Sequence, residues 1–282
     1  MLKPAKLLVL GALFAGVQAA QAADYYEPPV VEPPQVIYKE VDSGGWYIRG
    51  DIDYHWSKLR GTEYITYGCC APEPGTNRFD ETSLKGALSL GAGVGYQMNR
   101  YFRTDLTGDY WFKSKFKGRT TGFCGGVPCE SVDESDFSAL LLLANAYVDL
   151  GTYHGVTPYV GAGIGGAHVR WGDLRNTIGG VTDVHKGVSS WRFAYALMAG
   201  ASYCITRNLQ ADLGYRYSRI SGGRMFEEYS TTGASIGVGP GFDKGVNTHE
   251  VRAGLRWAFG NGNANCAPQE VAYEPGPAPV YK

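Results

Sequence analysis

The chain has 282 residues, and its 26 Lys and Arg against 27 Asp and Glu give a formal net charge of −1. A charge this close to zero argues against a nucleic-acid partner. The low mean hydropathy excludes a helical membrane protein. It does not exclude a membrane-spanning β-barrel, in which only every second residue meets lipid.

The N-terminus has the pattern of a secretory signal. Lys3 and Lys6 precede a short apolar run from Leu7 to Val17, and Ala20-Gln21-Ala22 follows as an A-x-A-type cleavage site. The run is too short to cross a bilayer as a helix. We therefore assign residues 1–22 to a signal peptide and expect no transmembrane helix in the mature chain.

Two proline-rich segments, residues 23–44 and 260–282, flank the central region. Because proline blocks regular structure, we expect both to be extended, one a periplasmic linker and the other a periplasmic tail. The region between them, residues 45–259, is the expected folded domain.

Apolar residues alternate with polar or small ones along this domain. Near its end, Val251, Leu255 and Trp257 alternate with Arg252 and Arg256. Alternation over about 9–11 residues is typical of a tilted strand that crosses a bilayer. The same pattern defines eight segments: Gly45–Leu59, Ser83–Met98, a third from Phe102 to Lys113, Ser135–Leu150, Thr157–Trp171, Ser190–Cys204, Leu209–Ile220 and Asn247–Phe259. We predict an all-β fold, an eight-stranded antiparallel up-and-down transmembrane β-barrel.

The predicted connections alternate in length. Those at Asn99, His154 and Arg207 are short, whereas those at 60–82, 114–134, 172–189 and 221–246 are long. Long loops outside and short turns in the periplasm are typical of barrels in the outer membrane of Gram-negative bacteria. We expect this location, with both termini in the periplasm.

The apolar faces carry more bulky side chains than a small barrel can hold inside, so we place them against lipid and the Gly- and Ala-rich faces in the lumen. A soluble barrel with the reverse arrangement is the alternative. Aromatic residues near strand ends fit two interfacial girdles: Trp46, Trp56, Tyr110, Trp171, Trp191, Tyr203, Tyr217 and Trp257.

The lumen faces contain charges of both signs in similar number. The predicted basic residues are Arg49, Lys85, Arg103, Arg192, Arg216, Arg252 and Arg256, and the predicted acidic residues are Asp51, Asp53, Asp105, Asp109, Asp149, Asp212 and Glu250. Because burial of an unpaired charge is costly, we expect a salt-bridge network that closes the lumen. The alternative is a narrow ion path lined by the same groups.

Six cysteines in an exported chain permit disulfides. Cys69, Cys70, Cys124 and Cys129 fall in predicted long loops, whereas Cys204 and Cys266 lie at the opposite rim and in the tail. Topology allows Cys204 to meet Cys266, and Cys124–Cys129 is the simplest loop pair. A zinc site built from the loop cysteines is the alternative, but their spacing is not that of a zinc finger. We predict no metal and no cofactor.

No spacing among the histidines defines an active site, and we predict no enzymatic activity. The residues that a rim-site hydrolase or acyltransferase would use are His55, His168, His185 and His249, with Ser57, Asp173 and Asp183 as neighbours. Gly161, Gly163 and Gly166 match G-x-G-x-x-G, but the pattern lies inside a strand and no helix follows, so it predicts relief of crowding, not a nucleotide site.

Four segments resemble strands of a known family. Thr157–Val169, Asn208–Ile220, Asn145–Leu150 and His249–Phe259 are similar to strands of the small alphaproteobacterial outer-membrane proteins of the opacity-like, porin-family type. The resemblance implies a barrel over about residues 45–259. It also implies a role as a surface antigen or in envelope integrity, with haem binding in some members.

In that family the barrel usually ends at a C-terminal phenylalanine, which the barrel-insertion machinery reads. Here Phe259 is followed by the proline-rich tail. We expect Phe259 to act as an internal insertion signal. The loop cysteines also depart from the family pattern.

The leading hypothesis is a non-enzymatic, structural barrel in the outer membrane. Its expected partners are outer-membrane lipid, lipopolysaccharide and the insertion machinery, with peptidoglycan or periplasmic proteins as candidate partners of the proline-rich ends. The alternatives are a narrow porin and a surface receptor for a ligand such as haem, with His168, His185 and Tyr229 as candidate iron ligands.

Overall fold

The structure is a computed structural model. It describes residues 36–39, 44–66, 75–124, 126–228, 230–231, 234–235, 238–260, 262–266 and 270–273. The predicted signal peptide, Cys69, Cys70 and Tyr229 lie outside the described residues. Among the residues described, no helix has the length and apolarity needed to cross a membrane.

Eight antiparallel strands form a closed ring. They are β1 (Gly45–Leu59), β2 (Ala87–Gln97), β3 (Phe102–Cys124), β4 (Val127–Asp149), β5 (Val156–Trp171), β6 (Ser189–Cys204), β7 (Leu209–Ile220) and β8 (Val246–Ala258). Each strand pairs with the next, and β8 pairs with β1. The predicted up-and-down barrel is confirmed.

Side chains alternate between the inside and the outside of the ring, as the period of two predicts. In β1, Trp46 is 60% exposed and its neighbour Tyr47 is fully buried. Trp46 and Trp56 both face outward near the two ends of β1. With a rise of ~3.3 Å per residue and a tilt of ~40°, the strand between them spans about 25 Å, the height of the apolar band of a membrane barrel.

The outer surface between these levels is apolar on every strand. It exposes Ile48, Ile52, Leu88, Leu90, Val94, Leu106, Leu142, Val148, Val160, Ile164, Phe193, Leu197, Leu213, Val251 and Leu255. A continuous apolar surface of this size is covered by lipid in a stable protein. The barrel therefore crosses the membrane.

The two ends of the barrel differ. At one end, here called the turn end, connections are short and lie at 98–101, 150–155 and 205–208. At the other, the loop end, the connections contain strands of their own: Thr62–Thr66, Gly75–Asn77, Glu81–Leu84, Leu174–Ile178, Val181–His185, Gly223–Phe226, Ser230–Thr231, Ala234–Ser235 and Val238–Asp243.

The prediction that residues 114–134 form a loop is wrong. β3 and β4 are 23 residues each and continue as a hairpin to the pair Cys124 and Val127. Leu174–Ile178 pairs with β4 and Glu81–Leu84 with β3, so a protruding sheet stands at the loop end. Cross-strand ion pairs of opposite charge, Lys117–Glu134 and Arg119–Glu130, stabilise this polar hairpin.

A β-bulge in β3 changes which residues face the lumen. The pairing register shifts between Trp111 and Ser114. Both of these residues are buried, whereas Phe112 and Lys113 are exposed. Lys113 has the sequence parity of the inward Asp109 but lies outside the lumen, because a bulge adds one residue and reverses the alternation beyond it.

The lumen near the loop end contains a buried apolar cluster. Trp111, Phe137 and Trp171 pack there with Phe116 and Leu141. The prediction that Trp171 belongs to the interfacial girdle is therefore wrong. Its side chain is 3% exposed and lies on the same face of β5 as the buried Val169. Small residues on facing strands, including Ala194 and Ala196, leave the space for these rings.

The proline-rich segments are not wholly irregular. Val36–Lys39 and Glu270–Tyr273 pair as a two-stranded sheet. Residues 262–265, predicted to belong to a free tail, are buried against the barrel.

Candidate functional site

An ion pair crosses the middle of the lumen. The guanidinium of Arg216 on β7 donates to Asp109 on β3 at 2.7 Å and to Glu250 on the neighbouring β8 at 2.9 Å, and Asp53 lies 3.8 Å away. In a ring of eight strands, β7 and β3 stand on opposite walls. The Arg216 and Asp109 side chains are fully buried, so the pair joins opposite walls inside the lumen.

Two further arginines extend this network. Arg252 contacts Asp51 at 3.1 Å, Asp53 at 3.3 Å and Asp109 at 3.2 Å. Arg49 contacts the same Asp51 at 2.8 Å. Shared carboxylates therefore join three arginines in one network, in which hydrogen bonds fix each charge in place.

The network continues to β3. Arg49 also reaches Asp105 at 3.1 Å. Asn145 and Tyr147 on β4 donate to the same carboxylate. Since Arg49 is on β1, this contact passes over β2, whose inward residues there are Gly93 and Gly95. A Cβ on Gly93 would lie 3.2 Å from Arg49. Glycine on β2 leaves room for the arginine.

Toward the turn end the charges form separate pairs. Arg103 contacts Asp149 at 3.0 Å, and Arg256 contacts Asp212 at 3.4 Å. The guanidinium of Arg103 also lies 4.0 Å from the ring centroid of Tyr147, a cation–π geometry.

Near the loop end, Arg192 pairs with Asp243 at 2.6 Å. The indole of Trp171 donates to the same carboxylate at 3.2 Å. Sequence reasoning missed Asp243, because it lies in a segment with no long strand pattern. The one hint that such a partner exists is that Arg192 faces the lumen, whereas the neighbouring strands have no acidic residue at the same height to pair with it.

Lys85 does not join the network. It is exposed and lies between the strand Glu81–Leu84 and β2, where its backbone N–H donates to the Lys115 carbonyl. The prediction assumed that β2 begins at Ser83. The strand begins at Ala87, so the alternation that places Ser89 inside does not extend to Lys85.

The segment Gly262–Cys266, here called the C-terminal plug, occupies the turn end of the barrel. A disulfide joins Cys204 and Cys266, the pairing that topology allows. Asn263 donates to Gln210 at 3.0 Å and to Gln97 at 3.3 Å, and Asn265 donates to Asp149 at 3.2 Å. These bonds connect the plug to inward residues of β7, β2 and β4.

Cys129 is also disulfide-bonded. Its pairing with Cys124 remains a prediction, and Cys69 and Cys70 lie outside the described residues. Among the side chains described, no group of three or more His, Cys, Asp and Glu is placed to hold a metal ion.

Four histidines lie at separate places on the barrel. His55 is buried and stacks on Trp111, with the Ser57 hydroxyl 3.5 Å from its Nδ1. His168 packs on Trp191, and His249 bonds to the Tyr215 hydroxyl.

His185 is at the loop end, with its Nδ1 3.3 Å from the Glu227 carbonyl, and burial lowers the pKa of its imidazole. Of the acidic neighbours predicted, Asp173 accepts from the Gly187 N–H, and the charge of Asp183 raises the pKa of the His185 imidazole less than burial lowers it. The described residues bring no serine, histidine and aspartate together as a triad.

Comparison with known proteins finds that this chain matches a protein family. Residues 7–259 match the family described as outer membrane protein beta-barrel domain. An uncharacterized protein of Brucella abortus is 40% identical over 276 residues, with 88% of this chain and 95% of the relative covered. The outer membrane protein PagN of Salmonella typhimurium is 26% identical, with 50% of this chain and 60% of PagN covered.

Among solved structures, the outer membrane protein OprG of Pseudomonas aeruginosa matches with a TM-score of 0.46 and 16% identity, over 77% of this chain and 97% of OprG. The family match extends over the whole barrel from β1 to β8. The chain belongs to the outer membrane β-barrel family, and its location is the outer membrane.

Proposed function

We propose that this protein is a non-enzymatic structural barrel whose lumen is closed to ions and whose loop end faces the cell exterior. The observation that carries the proposal is the Arg216–Asp109 pair between opposite walls. An eight-stranded barrel is only wide enough inside for side chains. A charge pair that spans this width argues against a continuous water path at its level.

Two further features support a closed lumen. The apolar cluster around Trp111, Phe137 and Trp171 fills the loop end, and the C-terminal plug covers the turn end. An ion would have to displace all three layers. Each lumen arginine named above already contacts a carboxylate, so none is available to attract a passing anion.

The difference between the two ends supports this orientation. Outer-membrane barrels have short turns in the periplasm and long loops outside, and on this ground we propose that both chain ends are in the periplasm. The protruding sheet then stands outside the cell, and the role is to maintain the envelope and present this surface. We also propose membership of the opacity-like, porin-family subtype and an N-terminal signal peptide of residues 1–22.

Phe259 remains our proposed insertion signal. It follows β8 directly, its side chain is half-exposed on the turn-end side, and its N–H donates to the Trp46 carbonyl at 2.9 Å. Insertion machinery that reads a terminal aromatic residue would find it at the seam where β8 meets β1.

Single-channel recording of the refolded mature protein in planar bilayers tests the closed lumen. We expect no steady conductance from the wild type and open or noisy channels from Arg216→Ala and Asp105→Ala. Lys117→Ala, which removes an exposed cation of the protruding sheet, should be as silent as the wild type. Steady, ion-selective steps in the wild type would contradict the proposal and make the lumen charges a conduction path.

A further inference from the structure

A group of cations lies on the outer wall at the loop end. Lys58 on β1 and Arg219 on β7 both stand opposite Asn247 on β8. Arg60 follows Lys58 by two residues and has the same parity. Lys58 and Arg60 are exposed and Arg219 is half-buried. Because adjacent strands are about 4.8 Å apart, the three long side chains lie within reach of one anion. We call Lys58, Arg60 and Arg219 the basic cluster.

The described residues supply no carboxylate partner to the basic cluster. Within the part of the chain that the structure describes, none of its three side chains makes an ion pair within 4.0 Å. On the opposite wall, Lys115 pairs with Asp136 at 2.9 Å and Lys117 with Glu134 at 2.7 Å. The nearest acidic residue in sequence, Glu63, is paired with Lys244 at 3.0 Å. No ion pair within the described residues therefore neutralises the positive charge of the cluster.

A row of aromatic side chains lies next to the basic cluster, two residues along each strand toward the membrane centre. Trp56, His249 and Tyr217 are directly opposite one another on β1, β8 and β7. The ring centroids of Trp56 and His249 are 6.0 Å apart, and those of Tyr217 and His249 are 5.4 Å apart. Aromatic rings of this kind mark the headgroup level of a bilayer. The basic cluster thus lies at the height of the lipid phosphates.

We propose that the basic cluster and the Trp56–His249–Tyr217 row form a binding site for a phosphorylated glycolipid of the outer leaflet. The cations bind the headgroup phosphates, and the rings pack against the sugar and the upper acyl chains. The leaflet assignment rests on the orientation proposed above. A bare phosphate ion would use only the cations, whereas the rings below them fit a ligand that continues into the membrane.

Native mass spectrometry of the mature protein released from detergent micelles tests this site. The probes are bis-phosphorylated lipid A, the same glycolipid with both phosphates removed, and inorganic phosphate as a competitor. The variant is Lys58→Gln with Arg219→Gln, and the matched control is Lys115→Gln with Lys117→Gln. Heat-modifiable gel mobility confirms that each variant is a folded barrel.

We expect the Lys58→Gln, Arg219→Gln variant to bind bis-phosphorylated lipid A about thirtyfold more weakly than the wild type, since each basic residue near an anionic lipid surface contributes roughly fivefold. The control variant should bind like the wild type, and the phosphate-free glycolipid should bind all three proteins equally weakly.

Equal binding of bis-phosphorylated lipid A by wild type and variant would overturn the proposal. So would equal loss in the control variant, or tight binding of the phosphate-free glycolipid. Displacement of lipid A by millimolar inorganic phosphate would show a free-anion site instead. Lipid binding and conductance are measured independently. A negative binding result would not contradict the closed lumen, and a conducting wild type would not contradict this binding site.

Discussion

Arg216 and Glu250 form a two-point contact inside the barrel, in which Nε and Nη2 of the arginine each donate to one carboxylate oxygen of the glutamate. The two residues are directly opposite each other on β7 and β8. The pair leaves Nη1 free to reach Asp109 across the lumen. Glu250 thus orients the arginine that bridges the two walls.

Arg216→Ala should lower the free energy of unfolding by about 3–5 kcal/mol, because it leaves the buried Glu250 carboxylate without its ion-pair partner and removes one of the two arginines that contact Asp109. Denaturant unfolding of the protein in lipid vesicles measures this change. Lys117→Ala is the control, since its ion pair with Glu134 is exposed, and a change within about 0.5 kcal/mol is expected there.

The double variant Arg216→Ala, Glu250→Ala separates coupling from simple loss of packing. We expect it to be less destabilised than the sum of the two single variants, since each single change removes the same two-point contact between Arg216 and Glu250. Additive effects would show that the two residues act independently and would remove the basis for a cooperative network.

The period of two is a local property, and it was sufficient to predict the barrel. β1 and β7 have the bounds that were predicted, and Arg49, Asp105 and Arg216 are inside because each has the parity of its strand. The sequence pattern could not predict which carboxylate each arginine contacts. Arg216 and Asp109 are far apart in sequence, and only closure of the ring brings β7 and β3 face to face.

Where prediction failed, a local irregularity was the cause. The bulge after Trp111 adds one residue to β3, and the hydrophobic pattern gives no warning of it. The polar hairpin beyond it alternates charges with small residues, a pattern that a loop also shows. Asn263 and Asn265 are polar residues in a proline-rich tail, and nothing in their own sequence predicts that they are buried beside the Cys204–Cys266 bond.

Cys266→Ser should release the C-terminal plug. Loss of a disulfide that closes a loop of 62 residues is expected to lower the free energy of unfolding by about 2–4 kcal/mol. The amides of Asn263 and Cys266, which donate to Arg207 and Asn263, should exchange with deuterium faster. Cys129→Ser is the control for a cysteine far from the turn end, and protection of these two amides should persist in it. Unchanged protection in Cys266→Ser would mean that the asparagine bonds hold the plug without the disulfide.

The loop end should loosen in acid through His185. Burial lowers the pKa of this imidazole in the folded protein, so below the pKa of the unfolded chain, about 6.5, the unfolded state binds a proton that the folded state does not. The stabilisation is therefore complete above this pH and declines as the pH falls toward the folded pKa. The amide of Glu227, bonded to the Lys186 carbonyl at 2.8 Å, reports the change by hydrogen exchange.

His185→Gln should remove most of this pH dependence, whereas His168→Gln, a change on the outer wall, should leave it intact. If the Glu227 amide keeps equal protection at pH 7.5 and pH 5 in the wild type, protonation of His185 does not control the loop end.

Gly165 on β5 lies close to the backbone of the neighbouring strand β4. A Cβ at this position would collide with the carbonyl oxygen of Leu142 on β4, and a backbone atom cannot turn aside as a side chain can. We expect Gly165→Ala to destabilise the barrel by about 1–3 kcal/mol and to slow its insertion into vesicles. At Gly122 in the protruding sheet no atom lies within 4 Å of the added Cβ, so Gly122→Ala should be neutral or slightly stabilising. Denaturant unfolding of the two variants in one lipid composition makes the comparison. Equal stabilities would mean that the β4–β5 seam relaxes around an extra methyl group, and the glycines of β5 would then be needed for folding speed alone.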